Sequence, residues 1–270
     1  MKLAVIIPAA GAATRYRGGA DNILGGRHKL DEDLGGRPVL QRSIELFAKL
    51  DLDGVDVLSI VVAGPAADED FADFSLRHAD RLQLLNAVLC RGGVTERYES
   101  VANALAEVPD EATHVAVHDA ARPITPPEVI ERVLRAAREH AAVVPGVPVA
   151  DTLKRVGPEP EESEADPLDA LLTGGARSPA RPVLGTVDRS ELMAIQTPQV
   201  FEAGLLRRAY AQDELASTDD AGLVERLGET VVAVEGDPRN IKITRGHDLP
   251  VVRALGGFRP PAERASHKKF

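Results

Sequence analysis

The sequence has a single cysteine, Cys90, and no tryptophan. One cysteine cannot form a disulfide within the chain, so a disulfide-stabilised secreted scaffold is excluded and a reducing compartment is expected. No segment reaches the roughly 18 consecutive apolar residues that a membrane-spanning helix needs. The apolar run after Met1 ends at Pro8, without the longer apolar stretch of a signal peptide. We therefore expect a cytoplasmic protein with no membrane partner.

Aromatic and basic side chains are also scarce. Aromatics make up 3% of the residues while hydrophobic residues make up 44%, so the core must be built from Val, Leu, Ile and Ala. Such a core suits strands that are covered by helices on both faces. The net charge of -10 argues against a nucleic-acid partner, because that partner needs a basic face. Any phosphate ligand must therefore be met by a local cationic pocket.

Short apolar runs alternate with amphipathic helical patterns along the chain. This alternation predicts an α/β fold with a mostly parallel, Rossmann-like sheet, helices on both faces, and ligands at the carboxyl ends of the strands. The predicted strands are Leu3–Pro8, Val55–Ala63, Leu82–Leu89, His114–Asp119, Ala142–Val149 and Thr230–Val234. The predicted helices are Pro38–Leu50, Glu96–Ala106 and Pro126–His140.

One stretch, residues 157–181, interrupts this alternation. It combines four prolines with the acidic patch Glu159–Asp166 and two adjacent glycines. That composition favours an exposed, mobile insertion over a packed core. We predict a single domain over residues 1–257, from which residues 151–190 project as an inserted arm, and a loosely held tail over residues 258–270.

The loop after the first predicted strand, Ala9–Gly19, consists mainly of small residues. Small side chains let backbone N–H groups approach a phosphate closely. The loop has neither the Walker pattern nor GxGxxG, and by itself it also fits an ordinary glycine turn. Two flanking cations, Arg15 and Lys29, favour phosphate binding.

Two further strand ends carry polar or small residues. Gly92 and Gly93 turn the chain into a helix that bears Ser100, a pattern that also fits an ordinary strand-turn-helix. Asp119 and Arg122 end an apolar strand, where ligands bind in open α/β sheets. His114 and His118 share one face of that strand, and because no further ligands can be placed we predict packing histidines rather than a zinc pair. Near the carboxyl terminus, Lys242 alternates with two isoleucines on an apparent strand and should point away from the core.

The ordered set of motifs resembles the 2-C-methyl-D-erythritol 4-phosphate cytidylyltransferase family over about Leu3 to Leu255. No single motif is decisive, but eight in order make coincidence implausible. The set consists of Ala9-Ala10-Gly11 with Arg15 and Lys29, Gly92-Gly93 with Ser100-Val101, His118-Asp119-Ala120-Ala121-Arg122-Pro123, Asp151-Thr152, Val187-Asp188-Arg189, Gln196-Thr197-Pro198-Gln199, Thr218-Asp219-Asp220 and Asn240-Ile241-Lys242-Ile243-Thr244.

The resemblance implies that residues 1–257 form a nucleotidyltransferase domain that moves CMP from CTP to 2-C-methyl-D-erythritol 4-phosphate and releases pyrophosphate, in isoprenoid precursor synthesis. Arg15 and Lys29 match residues that stabilise charge at the α-phosphate, and Arg189 and Lys242 match residues that hold the acceptor phosphate. The residues that match CTP-binding positions are Ala9, Ala10, Gly11, Gly93, Thr95 and Ser100. Those that match acceptor-binding positions are Asp119, Arg122, Thr152 and Thr218.

The resemblance also implies Mg²⁺ held mainly by the CTP phosphates, with Asp119 as the nearest carboxylate, and a homodimer formed through the arm. Two alternatives remain open. One is a cytidylyltransferase that acts on ribitol 5-phosphate or another polyol phosphate, although Ala120-Ala121 before Arg122 favours the methylerythritol type. The other is a non-catalytic nucleotide-binding protein, suggested by Ala13 and the long loop 16–28. Retention of the four matching cations argues against it.

Overall fold

The structure is a computed structural model that describes residues 1–11, 28–158 and 180–259. The strands are β1 (Lys2–Pro8), β2 (Asp56–Gly64), β3 (Ala87–Arg91), β4 (His114–Val117), β5 (Ala142–Pro148), β6 (Leu153–Val156), β7 (Val183–Val187), β8 (Met193–Ile195), β9 (Gln199–Glu202) and β10 (Val232–Glu235). The helices are α1 (Val39–Ala48), α2 (Asp68–Leu84), α3 (Arg97–Ala106), α4 (Pro127–Ala136), α5 (Ala203–Tyr210), α6 (Ala221–Arg226) and α7 (Asp248–Leu255), with a short 3₁₀ turn, η1, at Lys29–Asp31.

The chain divides into two compact units. The larger one contains residues 1–147 and 195–270, and the smaller one contains residues 148–194. In the larger unit the strands follow the order β10-β5-β9-β4-β1-β2-β3. Neighbouring pairs from β4 to β3 are parallel, and β9 runs antiparallel to β4 and β5. This arrangement confirms the predicted, mostly parallel α/β sheet, and it brings the carboxyl ends of β1 to β4 to one edge.

Alternation along β1 explains how both faces of the sheet are covered. Leu3, Val5 and Ile7 lie in one buried cluster with residues of α1, α4 and α7. Ala4 and Ile6 lie in a second cluster with residues of α3, α5 and α6. All five side chains are fully buried. Because residues 3–7 of β1 pack against helices on both faces of the sheet, this part of the strand is a continuous apolar run, and its burial stabilises the sheet.

The predicted strand Leu82–Leu89 is wrong in its first half. Helix α2 continues through Leu84, Asn86 turns the chain with φ 51°, and β3 begins at Ala87. Helical spacing places Phe74, His78 and Leu82 on one buried face of α2, and tertiary packing of that face outweighs the local strand pattern.

The predicted strand around Lys242 is also absent. Residues 241–244 are irregular, and the Ile243 N–H donates to the Ala121 carbonyl at 2.8 Å. Ile243 is fully buried, whereas the Lys242 side chain is 37% exposed. The segment is therefore held by loop contacts, by the buried Ile243 side chain and by the Lys242–Asp119 pair rather than by a sheet ladder.

The smaller unit contains the β6–β7 hairpin, in which Leu153 faces Val187 and Val156 faces Val183 in antiparallel register. The predicted arm, residues 151–190, lies within this unit, and residues 159–179 lie outside the described part of the chain. Val156, Val183 and Leu184 are exposed apolar side chains of the hairpin. In the described residues, no helix is both long enough and apolar enough to cross a membrane.

Candidate active site

A cleft of about 310 Å³ lies at the carboxyl ends of β1 and β4. Nine residues predicted from the sequence line it together. They are Ala9, Ala10, Gly11, Lys29, Gly93, Thr95, Ser100, Asp119 and Lys242. Lys29 and Lys242 come from opposite ends of the chain, so the fold brings two predicted cations to one cavity of an acidic protein.

The first wall of the cleft is the small-residue loop after β1. The Ala9 N–H donates to the Ala63 carbonyl at 2.7 Å, which continues the β1–β2 pairing into the loop. On the far side of the loop, His28 Nε2 lies 2.9 Å from the Gly11 carbonyl, and His28 Nδ1 accepts from the Leu30 N–H at 3.3 Å. Because Nδ1 accepts, Nε2 carries the proton and donates. His28 therefore links the start of the loop to the turn that carries Lys29. Arg15 and Ala13 lie outside the described residues.

The second wall is the glycine turn after β3. A Cβ on Gly92 would lie 2.7 Å from the Ala10 Cβ, and a Cβ on Gly93 would collide with the Glu99 Cβ. Both contacts are too close for any larger residue. The Gly93 N–H donates to Ser100 Oγ at 2.9 Å, so Ser100 fixes the turn as well as lining the cleft.

The amino-terminal end of α3 continues this wall. The Glu99 carboxylate accepts from the backbone N–H groups of Thr95 and Glu96 at 2.9 and 3.2 Å, and from the Thr95 hydroxyl at 3.0 Å. These contacts cap the helix and lower the pKa of Glu99. The positive end of the α3 dipole is thus held at a cleft whose walls are backbone and small side chains, which is a favourable place for a polyphosphate.

Asp119 is the charged centre of the cleft. The residue is only 7% exposed. Its Oδ2 lies 3.0 Å from Lys242 Nζ and accepts from Arg122 Nε at 3.2 Å, while Oδ1 lies 3.6 Å from Arg97 Nε. Burial acts to raise the pKa of Asp119, but Lys242, Arg97 and Arg122 outweigh it and hold the pKa well below its usual range. The group is therefore a permanent carboxylate that aligns cations, and it is too weak a base to take a proton.

A buried hydrogen-bonded chain fixes the backbone at Asp119. The Asp119 N–H donates to Thr197 Oγ1 at 3.0 Å, Thr197 Oγ1 lies 3.2 Å from His118 Nδ1, and His118 Nε2 lies 3.1 Å from the Arg122 carbonyl. The His118 ring packs edge-on against Phe47. Burial lowers the pKa of His118 to about 4, so the ring is neutral and relays hydrogen bonds within the loop. This arrangement is that of a packing histidine.

Arg97 was missing from the residues predicted for the site. It is the first residue of α3 and lines the cleft. Arg97 Nη2 donates to Asp220 Oδ2 at 2.7 Å, and the fully buried Asp220 also accepts from the Tyr210 hydroxyl at 2.5 Å. Burial acts to lower the pKa of Arg97, but the carboxylates of Asp220 and Asp119 outweigh it and raise the pKa. The guanidinium group therefore stays protonated. One signal for it was available in the sequence, since Arg97 lies one helical turn before Ser100.

Four other predicted residues lie outside the cleft lining. Arg122 Nη1 donates to the Asn240 carbonyl at 2.5 Å, so both ends of its guanidinium group are held within the protein. Thr218 is exposed on the stretch before α6. Thr152 and Arg189 are exposed residues of the smaller unit, and Arg189 follows Asp188, whose carboxylate accepts from the Ser190 N–H at 2.9 Å.

The described residues contain no group of three or more His, Cys, Asp or Glu side chains placed to hold a metal ion. Asp119 and Glu96 are the acidic residues among the described residues that line the cleft, and Oδ2 of Asp119 is already paired to Arg122 and Lys242. This donor set fits an ion that receives most of its oxygens from a bound polyphosphate, and it does not fit an ion held by the protein alone.

Comparisons with known proteins agree along almost the whole chain. The profile of the 2-C-methyl-D-erythritol 4-phosphate cytidylyltransferase family matches residues 3–162 and 169–255. The protein of that name from Rhodococcus jostii is 41% identical over 251 residues, which cover 93% of each chain. The one from Frankia casuarinae is 39% identical over 266 residues, which cover 98% of this chain and 85% of that one. The crystal structure of the Thermus thermophilus protein of that name covers 95% of this chain and all of its own, with a TM-score of 0.66 and 32% identity.

The parallel sheet and the cationic cleft at its strand ends, together with these matches, define the chain as a nucleotidyltransferase. Within that class, it belongs to the 2-C-methyl-D-erythritol 4-phosphate cytidylyltransferase family. The family resemblance inferred from the ordered motifs is confirmed.

The buried His118 predicts a pH dependence of stability. Because its folded pKa of about 4 lies below the usual value of 6.5, the unfolded chain binds more protons at this residue between these pH values, and acidification favours unfolding. We expect His118 to remove about 3 kcal/mol of stability between pH 6.5 and 4. Urea unfolding should show a shallower pH slope over this window for His118→Gln than for the unmodified protein. His140→Gln, at an exposed position, is the matched control. Equal slopes for the protein and His118→Gln would contradict the assignment.

Proposed function

We propose that the protein transfers CMP from CTP to 2-C-methyl-D-erythritol 4-phosphate and releases pyrophosphate. The observation that carries the proposal is the grouping of Lys29, Lys242, Arg97 and Asp119 in one cleft walled by the small-residue loop and the glycine turn. Family membership supplies the identity of the two substrates.

The reaction requires little covalent chemistry from the protein. The attacking group is an oxygen of a phosphate monoester, and because the second pKa of such esters is about 6, the oxygen is mostly ionised at neutral pH. No general base is needed, which agrees with an Asp119 carboxylate that is too weak a base for that role. What remains is to hold two polyanions in line and to neutralise the charge that grows at the α-phosphate as pyrophosphate leaves.

Each group of residues then has a distinct part. Ala9, Ala10, Gly93, Thr95 and Ser100 bind cytosine through backbone and small side chains. The backbone of the loop that begins at Ala9 and includes Gly11 approaches the triphosphate. Lys29 and Arg15 stabilise charge at the α-phosphate, since lysine supplies a point charge and arginine a fork for oxyanions. Lys242, held by Asp119 at 3.0 Å, binds the acceptor phosphate. Arg189 is proposed for the same role only from the family position that it matches. Asp119, Arg122, Thr152 and Thr218 complete the acceptor site, Arg122 through its pair with Asp119.

We propose Mg²⁺ as the cofactor, which would be bound mainly by the CTP phosphates with Asp119 as the nearby carboxylate. When bound, the ion supplies charge neutralisation at the phosphates. The protein supplies the arrangement of the remaining charges, because Asp119 fixes Lys242 and Arg97 on either side of its carboxylate.

The direct test of the function is pyrophosphate release from purified protein with Mg²⁺ and a panel of substrates. We expect turnover with CTP plus 2-C-methyl-D-erythritol 4-phosphate, and much less with ATP or GTP. Faster turnover of ribitol 5-phosphate would identify the polyol-phosphate alternative instead. Nucleotide binding without turnover of any acceptor would identify a non-catalytic nucleotide-binding protein.

A comparison of two cations tests the division of roles. Lys29→Ala should lower kcat by about 10²-fold or more, the scale for deletion of one preorganised oxyanion donor. Arg189→Ala should raise the KM of the acceptor while CTP binding is retained, because a group that binds substrate and transition state equally affects KM. Lys49→Ala and Arg155→Ala, at exposed positions that do not line the cleft, are the control variants for Lys29→Ala and Arg189→Ala respectively. Near-normal kinetics for Lys29→Ala and Arg189→Ala in folded protein would contradict the mechanism.

We also propose a homodimer formed through the arm. A two-stranded hairpin is marginally stable by itself, and β6–β7 exposes Val156, Val183 and Leu184. A second subunit that covers these side chains would remove apolar surface from water. Sedimentation equilibrium should give twice the chain mass, and Val183→Lys combined with Leu184→Lys should shift it to the monomer mass. A fully active monomer at assay concentrations would overturn the proposal.

A further inference from the structure

The turn that carries Lys29 is too short to hold its own conformation. η1 has three residues, Lys29, Leu30 and Asp31. Isolated 3₁₀ turns of this length gain little from their own hydrogen bonds. Contacts made by its neighbours therefore contribute to the position of Lys29 at the cleft. Leu30 is 2% exposed and enters the core, while the Asp31 side chain is 17% exposed and charged.

The Asp31 side chain contacts two consecutive residues of α2. Arg77 Nη1 donates a hydrogen bond and forms an ion pair with Asp31 Oδ2, and buried His78 Nε2 lies 2.8 Å from Asp31 Oδ1 without the geometry of a hydrogen bond. His78 is 3% exposed, and its ring packs against that of Phe74 at a centroid distance of 4.6 Å. The two carboxylate oxygens thus have separate partners on one helix, which fixes the orientation of the carboxylate as well as its position.

Asp31 is more enclosed than the carboxylate of an ordinary surface ion pair, since its side chain is 17% exposed. Burial acts to raise the pKa of Asp31, yet contacts with His78 and Arg77 outweigh it and lower the pKa. The helix that supplies both partners spans 17 residues and buries Phe74, His78 and Leu82 in the larger unit. A short turn is therefore tied to a long, well-packed helix.

We propose that Asp31 is a positioning residue, and that its clamp by Arg77 and His78 holds Lys29 at the cleft for transfer. The kinetic part of this proposal rests on the proposed function. Asp31 is two residues beyond Lys29 and is not among the residues that line the cleft, so it acts through Lys29 and contacts no substrate.

The kinetic test uses Asp31→Asn in two backgrounds. In the otherwise unmodified protein we expect kcat to fall about tenfold, with the KM of CTP changed less than twofold. In the Lys29→Ala background the same change should lower kcat less than twofold, because the residue through which it acts is already gone. Asp31→Glu should restore part of the loss. Equal factors in the two backgrounds would overturn the proposal.

Asp73→Asn is the matched control. Asp73 pairs with the same arginine, Arg77, at 3.0 Å, but it lies on α2 itself, four residues before Arg77. Asp73→Asn should leave kcat within twofold of the value for the unmodified protein. If Asp73→Asn lowers kcat as much as Asp31→Asn does, the effect belongs to Arg77 and the clamp assignment fails.

Hydrogen exchange gives a readout that does not require catalysis. The Asp31 N–H donates to the His28 carbonyl at 2.8 Å, and the Leu30 N–H donates to His28 Nδ1. Asp31→Asn and, separately, Arg77→Gln should speed exchange at these two amides at least tenfold while the urea midpoint of the whole protein changes little. Unchanged exchange would overturn the clamp. Absence of pyrophosphate release by the unmodified protein would instead overturn the proposed function. The hydrogen-exchange result would then still decide whether Asp31 and Arg77 hold the turn.

Discussion

The structure of the cleft depends on one buried carboxylate, that of Asp119. A carboxylate that is 7% exposed is costly unless cations and hydrogen bonds compensate it. Three cations do so, and each comes from a different part of the fold. Arg97 begins α3, Arg122 belongs to the loop after β4, and Lys242 lies near the carboxyl terminus. Because all three cations lie against the same Asp119 carboxylate, that carboxylate fixes their positions relative to one another.

The surrounding polar residues serve this arrangement. Thr197 holds the Asp119 backbone, and Asn240 accepts from Arg122 through its carbonyl while its side-chain amide donates to the Thr197 carbonyl at 2.9 Å. Asp220 anchors the other side of Arg97. Motifs that seemed separate in the sequence thus form one buried network behind the cleft. Their residues position the cations, whereas Ala9 to Gly11 and Gly93 shape the space in which a nucleotide would lie.

The sequence was sufficient for features that depend on local pattern. The apolar β1, the glycine turn at Gly92 and the strand-end position of Asp119 follow from burial on both faces, close backbone approach and parallel topology. Features set by distant contacts were not predictable from it. The partner of Arg97 is Asp220, far along the chain, and the end of α2 was decided by packing of Leu82 rather than by local propensity. Distant contacts also explain why the backbone at Lys242 is irregular rather than a strand. The neighbouring Ile243 N–H donates to the carbonyl of Ala121, which lies in a loop.

The central claim is that Asp119 aligns the cations of the cleft and does not act as a base. The measurement that tests it most directly is kcat/KM of Asp119→Asn with CTP and 2-C-methyl-D-erythritol 4-phosphate, from pH 6 to pH 9. Loss of a charge-assisted contact to a buried cation costs about 1.5–3 kcal/mol, so we expect a drop of about tenfold or more. The drop should be uniform across this range, since the pKa of Asp119 lies far below it. A value of kcat/KM close to that of the unmodified protein, or a loss confined to one end of the pH range, would contradict the account.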